Sequence, residues 1–252
     1  MSGGDHPGQS STADALAQRV ILITGAAGGL GSAAALAIAR AGGQPILLGH
    51  RVPKLQRVYD RIAAEGGDPA IYPLDLAGAS PADYDDLAER IEQNYGRLDG
   101  ICHCAASFQG LAGLENTSPE DFFRPLHVNL FAPWLLSRAC LPMLRRAPDS
   151  ALVFAIDDPD QTGRAYWGGY GVAVRALEGL IAIAAAELEN SVVRVAGFRP
   201  GPMRTRLRAR AWFGEDAGRW PEPDAYAPAL VHLLSAAGRA MHGTIWTPER
   251  SD

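Results

Sequence analysis

The sequence predicts an α/β fold in three αβα layers, a doubly wound parallel sheet with helices on both faces. Short apolar segments alternate with helical segments of about 10 to 20 residues, the pattern of consecutive βαβ units. Right-handed crossovers then make neighbouring strands parallel. A glycine-rich loop directly follows the first apolar segment, and the 252 residues suit one large α/β domain.

The predicted strands are short and apolar, as expected of strands buried on both faces. They cover residues 19–24, 45–49, 70–76, 98–104, 151–156, 192–198 and 243–246. The first of them, which reads RVILIT, is rich in β-branched residues. We found no internal repeat and no linker that would divide the chain.

The predicted helices begin and end at recognisable signals. They cover residues 31–41, 53–64, 80–95, 118–146, 169–189 and 224–237. Gly42 and Gly43 end the first. The third and fourth begin with a Ser-Pro pair, which supplies an N-cap and a proline in the first turn. Pro125, Pro133 and Pro142 are expected to kink or interrupt the fourth helix.

Composition narrows the classes of function. Hydrophobic residues make up 47% of the chain, charged residues 20%, and the net charge is −5, which excludes collagen-like and disordered proteins. The acidic balance predicts no nucleic-acid partner, and the lack of an apolar run of about 18 residues predicts no membrane span. Lys54 is the only lysine among 23 basic residues.

The first residues differ from the rest of the chain. Residues 1–14 are polar and lack the charged and apolar regions of a signal peptide. We therefore predict a flexible tail at 1–14, a single domain at 15–252 and a cytoplasmic protein.

The three cysteines do not indicate a disulfide framework or a metal site. Cys102 and Cys104 share one face of a strand and His103 points to the other, so the three cannot converge on one ion. Ordinary buried cysteines, with Cys140 as the third, are the favoured interpretation.

The glycine-rich loop predicts a dinucleotide site. The run from Thr24 through Gly25, Gly29 and Leu30 to Gly31 joins a predicted strand to a predicted helix. Glycines allow a tight turn and close approach of a pyrophosphate, and the helix N-terminus attracts its charge. A loop retained only for packing is the alternative.

The second strand ends without a carboxylate. An acidic residue there binds the free ribose hydroxyl of NAD, whereas a basic residue accommodates the phosphate of NADP. His50 and Arg51 occupy this position and favour NADP(H) over NAD(H), unless both side chains are merely solvated. Asp75 and Leu76 follow the third strand, where a carboxylate could meet the adenine edge.

These motifs resemble the short-chain dehydrogenase/reductase family in its compact form of about 250 residues. The likeness runs from about residue 19 to 246 and covers the T-G-x-x-x-G-x-G loop, Asp75, Asn129 and the Pro200-Gly201 pair with its trailing Thr205. The run at 163–170 is similar to a bacterial subgroup with G-R-x-x-W-G-x-Y. The resemblance implies a Rossmann-type fold with strand order 3-2-1-4-5-6-7 and an oxidoreductase.

The resemblance also implies a degenerate catalytic tetrad. Tyr170 matches the tyrosine that acts as general acid/base, and Asn129 matches the asparagine of the proton relay. Val174 stands at the position of the lysine and Asp157 at that of the serine. Val174 carries no charge to lower the phenol pKa, and an ionised Asp157 would raise it, so efficient carbonyl reduction is not expected.

Further segments carry possible functions. Cys104 and Ala105 begin the segment that replaces the family's cofactor-side Asn-Ala-Gly. The acidic turn at 157–160 could bind a ligand or be an inert turn. The alternating arginines at 204–210 could bind an anion or form a solvated face. The helices around 119–146 and 169–189 resemble the family's interface and imply a homodimer or homotetramer.

Three functions remain open at this point. The first is an NADP(H)-binding oxidoreductase by family whose carbonyl/alcohol chemistry is lost. The second is a non-catalytic dinucleotide sensor or an inert oligomer partner. The third is a non-redox acid/base enzyme that uses Asp157 and Tyr170. In each, the small-molecule substrate or ligand is unknown, and whether the chain is an enzyme stays open.

Overall fold

The computed structural model describes residues 14–248, in which seven parallel strands form one sheet. The strand order β3-β2-β1-β4-β5-β6-β7 confirms the predicted doubly wound topology. The predicted tail at 1–14 lies, except for Asp14, outside the described residues. The strands are β1 (Val20–Thr24), β2 (Gln44–Gly49), β3 (Ala70–Pro73), β4 (Gly100–His103), β5 (Ser150–Ala155), β6 (Val193–Phe198) and β7 (Ile245–Trp246).

Helices cover both faces of the sheet, which produces two separate hydrophobic cores. One core lies under α1, α2 and α9, and the other under α3, α5 and α7. The helices are α1 (Gly29–Arg40), α2 (Val52–Ala64), α3 (Pro81–Tyr95), α4 (Pro119–Leu126), α5 (Ala132–Arg146), α6 (Pro159–Thr162), α7 (Gly168–Glu187), α8 (Arg206–Ala211) and α9 (Ala227–Leu234).

The predicted long helix at 118–146 is divided by a five-residue π-helical segment, His127–Phe131. It begins two residues after Pro125, which has no N–H to donate within α4. Neither of the other two prolines interrupts an α-helix of the described residues. Pro133 lies in the first turn of α5, where no donor is needed, and α5 continues past Pro142.

Two other predicted elements are shorter than expected because polar side chains end them. The third strand stops at Pro73 instead of residue 76, and the Asp75 carboxylate accepts a hydrogen bond from the Ala77 N–H at 3.1 Å. The helix predicted at 224–237 breaks at Ser235, whose backbone is extended and whose hydroxyl caps the next turn.

A cluster of charges lies at the amino edge of the sheet. Asp149, just before β5, pairs with Arg19 at 2.5 Å, with Arg194 at 3.0 Å and with Arg239 at 3.5 Å. Arg194 is buried and also donates to the carbonyl groups of Leu233 and Ser235. This cluster ties β1, β5, β6 and the end of α9 together.

Helix α7 is the one helix of residues 14–248 with the length and apolar composition to cross a membrane. It packs as a core helix of this fold, since Tyr170, Val174, Leu177 and Ile181 are buried against the sheet.

Candidate functional site

The candidate site lies at the carboxyl edge of the sheet, between the neighbouring strands β1 and β4, because the helices that follow these two strands cover opposite faces. The Thr24 hydroxyl, at the end of β1, accepts hydrogen bonds from the Cys104 and Ala105 N–H groups, each at 3.1 Å. Gly25 has a φ of 65°, and a Cβ there would lie 2.6 Å from the Ala105 Cα. The loops after β1 and β4 are therefore locked together.

The glycine-rich loop forms a cradle that side chains would fill. A Cβ at Gly31 would lie 2.3 Å from the Gly25 carbonyl oxygen, so only glycine fits this turn. Helix α1 begins at Gly29 and has no acidic residue in its first turn. Its N-terminus is thus suited to an anion such as a pyrophosphate, the group that the sequence predicts here.

A second segment lies over this cradle. A Cβ at Gly29 would come 3.0 Å from the Thr205 methyl carbon and 3.1 Å from the Pro223 ring. The Thr205 hydroxyl caps α8 by accepting from the Arg208 N–H at 3.2 Å. Pro200 and Gly201, after β6, lead into this segment, and Gly201 turns the chain with a φ of 81°.

Basic side chains gather at the carboxyl end of β2. His50 and Arg51 are exposed, and the Arg51 Nε donates to the His50 Nε2 at 3.0 Å. Partial desolvation, followed by the charges of Arg206, Arg51 and Arg57, lowers the pKa of Lys54. Sequence reasoning missed Arg206 here because its proximity to Lys54 arises only when α8 folds back toward α2.

The residues predicted to meet adenine take different positions. Asp75 is exposed just beyond β3, while Leu76 is buried in the core. The Asp75 carboxylate is thus available at the same edge of the sheet as His50 and Arg51.

Tyr170 and Asp157 form the centre of the other half of the site. Tyr170 lies on α7, is 5% exposed, and donates its hydroxyl proton to the Asp157 Oδ2 at 3.0 Å. The Asp157 Oδ1 accepts from the Asp158 N–H at 2.8 Å. Val174, one turn after Tyr170, is 4% exposed and belongs to the hydrophobic core.

Burial dominates the electrostatics of this pair. Desolvation, and then the Asp157 carboxylate, raise the pKa of Tyr170 well above its ordinary value of about 10. Desolvation raises the pKa of Asp157. The hydrogen bonds that its carboxylate accepts from the Asp158 N–H and from Tyr170 offset part of this increase. The geometry therefore agrees with the expectation that Asp157 opposes ionisation of the phenol.

Asn129 holds the loop after β4. It lies in the π-helical segment, where its carboxamide oxygen accepts from the Ser107 N–H at 2.7 Å. Its Nδ2 donates to the Ser107 carbonyl at 3.0 Å. The side chain is fully engaged in positioning this loop beside Tyr170.

Aromatic rings cover Tyr170. The ring centroids of Phe108 and Trp167 lie 5.2 Å and 5.7 Å from that of Tyr170, and Trp212 from α8 lies 5.3 Å from Trp167. Arg210 on α8 donates to the Phe108 carbonyl at 2.6 Å. We call Phe108, Trp167 and Trp212 the aromatic cover. A cavity of about 90 Å³ lies beside it.

Three of the four arginines at 204–210 make contacts within the protein, although Arg204, Arg206 and Arg210 are exposed. Arg204 pairs with Glu222 at 2.8 Å. The Arg208 guanidinium lies between the rings of Trp212 and Trp220 and makes two hydrogen bonds to Glu215.

The cysteines take the predicted arrangement on β4. The sulfur atoms of Cys102 and Cys104 lie 3.4 Å apart, whereas His103 faces the opposite core, stacked on Phe154 and hydrogen-bonded to Ser137. Within the described part of the chain, no three His, Cys, Asp or Glu side chains converge as a metal site would require.

Comparison with known proteins decides the family. The model of the family described as short chain dehydrogenase matches residues 19–215. The chain belongs to the short-chain dehydrogenase/reductase family. It is 35% identical to the uncharacterized oxidoreductase YciK of Escherichia coli over 231 residues, which cover 91% of each protein.

Solved structures of short-chain dehydrogenases share this fold closely. One from Pseudomonas syringae is 38% identical with a TM-score of 0.90, over 94% of this chain and 97% of its own. One from Shigella flexneri, complexed with NADP, is 33% identical with a TM-score of 0.89, over 93% and 98% of the two chains. This family binds nicotinamide dinucleotides, and the glycine cradle of the present chain fits one.

Proposed function

We propose that this short-chain dehydrogenase/reductase binds NADP(H) but no longer performs efficient carbonyl/alcohol redox chemistry, so that it acts as a dinucleotide sensor or a non-catalytic partner. The observation that carries the proposal is the buried hydrogen bond between Tyr170 and Asp157 beside an uncharged Val174.

Dinucleotide binding is supported by the cradle of Gly25, Gly29 and Gly31 at the N-terminus of α1. The preference for NADP(H) over NAD(H) is supported by the basic cluster of Arg51, Lys54 and Arg206, which would accept a ribose phosphate. The Shigella flexneri relative was solved with NADP and one from Escherichia coli with NADPH.

Loss of redox chemistry follows from the proton that carbonyl reduction requires. The nicotinamide supplies the hydride, and a side chain must give the carbonyl oxygen a proton and later recover it. The Tyr170 hydroxyl donates its hydrogen bond to Asp157, and the pKa of Tyr170 is raised. The single lysine, Lys54, lies at the adenosine end of the site, and Arg175 pairs with Asp160 at 2.7 Å, so neither activates the phenol.

Calorimetric titration tests the cofactor half of the proposal. We expect NADP(H) to bind at least tenfold more tightly than NAD(H), because the ribose phosphate gains charge-assisted hydrogen bonds. Arg51→Ala should reduce this ratio, whereas Arg61→Ala, an exposed arginine at the far end of α2, should not. If neither dinucleotide binds, the proposal is wrong.

Restoring the two missing groups tests the catalytic half. We expect the unmodified chain to show no NADPH-dependent reduction of simple ketones, and Val174→Lys with Asp157→Ser to create it. The matched control is the triple variant in which Tyr170→Phe is added to these two substitutions, and it should lose the reductase activity that the double variant gains. Brisk reduction by the unmodified chain would contradict the proposal.

A second candidate function is proton transfer without net redox change. It is favoured by the raised pKa of Asp157, which brings this carboxyl closer to the range of a general base at neutral pH. Such activity would persist without added dinucleotide and disappear in Asp157→Asn.

We also propose that two or four copies of the chain assemble in the cytoplasm through α4, α5 and α7. These helices, with the π-helical segment between α4 and α5, expose large apolar side chains, namely Phe123, Phe131, Trp134, Val172 and Ile183. Light scattering after size-exclusion chromatography should give a dimer or tetramer, which Trp134→Glu should dissociate. A monomeric unmodified chain would refute the assembly.

A further inference from the structure

We propose that the nicotinamide half of the site distinguishes the redox state of the dinucleotide and binds NADP⁺ more tightly than NADPH. The proposal rests on the dinucleotide binding proposed above. The two ligands share every phosphate and ribose, and they differ in that the oxidised ring carries a positive charge and the reduced ring does not. A fixed, uncompensated charge beside the ring would therefore give NADP⁺ and NADPH different affinities.

The topology places Asp157 beside the ring. A dinucleotide lies across the carboxyl ends of the strands, with its pyrophosphate at the glycine-rich loop after β1. The basic cluster at β2 would take the adenosine half, so the nicotinamide half extends over β4 and β5. Asp157 lies two residues after the last residue of β5, and Cys104 directly follows β4.

The hydrogen bonds of Asp157 suit a carboxylate. Both of its oxygens accept hydrogen bonds, one from the Asp158 N–H and the other from the Tyr170 hydroxyl. This pattern satisfies the ionised form, which has no proton to donate. Tyr170 itself stays neutral, because its proton is needed for this contact.

No described cation neutralises this charge at close range. Val174 is uncharged, and Asp158 adds a second negative group at the start of α6. Arg208 is the cation whose charge reaches Asp157, but two hydrogen bonds of 2.7 Å and 2.8 Å bind its guanidinium to Glu215. The nicotinamide end of the site is thus negative, while its adenosine end is positive.

The charge arrangement has a functional consequence. A binder that favours NADP⁺ changes its occupancy with the ratio of oxidised to reduced dinucleotide, even when the total concentration is constant. A cation at position 174 would have opposed this preference, and the buried Val174 removes that opposition. Loss of the catalytic charge and gain of redox discrimination are then two results of the same substitutions.

The test is calorimetric titration of the full chain with NADP⁺ and with NADPH at pH 8. We expect the unmodified chain to bind NADP⁺ about tenfold more tightly than NADPH, since opposite charges several ångströms apart in a protein interact at this scale. Asp157→Asn keeps an acceptor for Tyr170 but removes the charge, so the two affinities should become nearly equal. Asp86→Asn, an exposed change on α3, should keep the preference.

Glu215→Gln provides a second variant at a partly exposed position. It should free the charge of Arg208 and reduce the preference for NADP⁺ at least threefold. Equal affinities in the unmodified chain, or an unchanged ratio in Asp157→Asn, would overturn the inference and leave dinucleotide binding intact. Absence of binding by both ligands would instead reject the proposed function.

Discussion

Tyr170 and Asp157 show how a single contact between residues changes the properties of both groups. The phenol donates a hydrogen bond to a carboxylate at 3.0 Å, and burial raises the pKa of each group. A cationic partner would lower the pKa of the phenol, but the position one turn after Tyr170 on α7 holds the uncharged Val174. Individual side chains thus determine which chemistry the site can perform, whereas the fold determines only where in the molecule that chemistry would occur.

Asp157→Asn should stabilise the protein at neutral pH. The pKa of this carboxyl is about 3.9 in an unfolded chain and is raised in the folded protein. At pH values between the unfolded-state pKa and the folded-state pKa, the folded protein therefore binds more protons than the unfolded chain. Stability therefore falls as pH rises through that window, and the loss persists above it. We expect a higher melting temperature for Asp157→Asn at pH 7 and equal values below about pH 4. A variant less stable at pH 7 would contradict this explanation.

Helix α8 shows how a short element can be held by side chains instead of by its own length. It has six residues, too few for independent stability. The Trp212 ring packs against Trp167 at an interplanar angle of 58° and lies under the Arg208 guanidinium, and Arg210 donates to the Phe108 carbonyl. The element thereby closes the aromatic cover over Tyr170 and packs Leu207 and Ala211 at the edge of the core under α7.

Trp212→Ala should release α8 without unfolding the protein. We expect faster hydrogen exchange of the amides at 206–212 and a small change in the midpoint of urea unfolding, because α8 is a locally stabilised unit. Phe213→Ala is the matched control, since Phe213 is the next residue and is 99% exposed. Equal exchange rates in the two variants would show that the ring contacts do not hold the helix.

The whole molecule also buries a titratable group, the imidazole of His103, and this group contributes to its response to acid. His103 is fully enclosed between Phe154 and Ser137, and desolvation lowers its pKa to about 3. Its Nδ1 has no hydrogen-bond partner among the described residues. The imidazole of the folded protein is therefore neutral at pH values well above 3.

Acidification should destabilise the protein through this residue. Below an unfolded-state pKa of about 6.5 the unfolded chain binds a proton at His103 that the folded chain excludes. Stability is then lost as pH falls from about 6.5 towards the folded value of about 3. His103→Phe should show a shallower decline of the free energy of unfolding between pH 7 and pH 4. His50→Phe, on the exposed surface, should keep the original slope.

Features that depend on local pattern could be predicted from the sequence, and those that depend on distant contacts could not. Strand order and the glycine cradle followed from apolar segments, glycine positions and the family resemblance. Helix α8 was missed because an arginine-rich stretch of six residues has no apolar periodicity. The aromatic cover was missed because Phe108, Trp167 and Trp212 come from three separate segments.

The Asp149 cluster lies at the edge of the sheet opposite the candidate site, and this separation bears on how such a chain evolves. Salt bridges of Asp149 with Arg19 and Arg194 connect the strands at their amino ends, so substitutions at the carboxyl ends leave these contacts intact. A lineage can therefore lose its catalytic lysine and serine and still inherit a foldable protein. Under the function proposed above, natural selection would then act on dinucleotide binding alone, with the ancestral cofactor as the ligand.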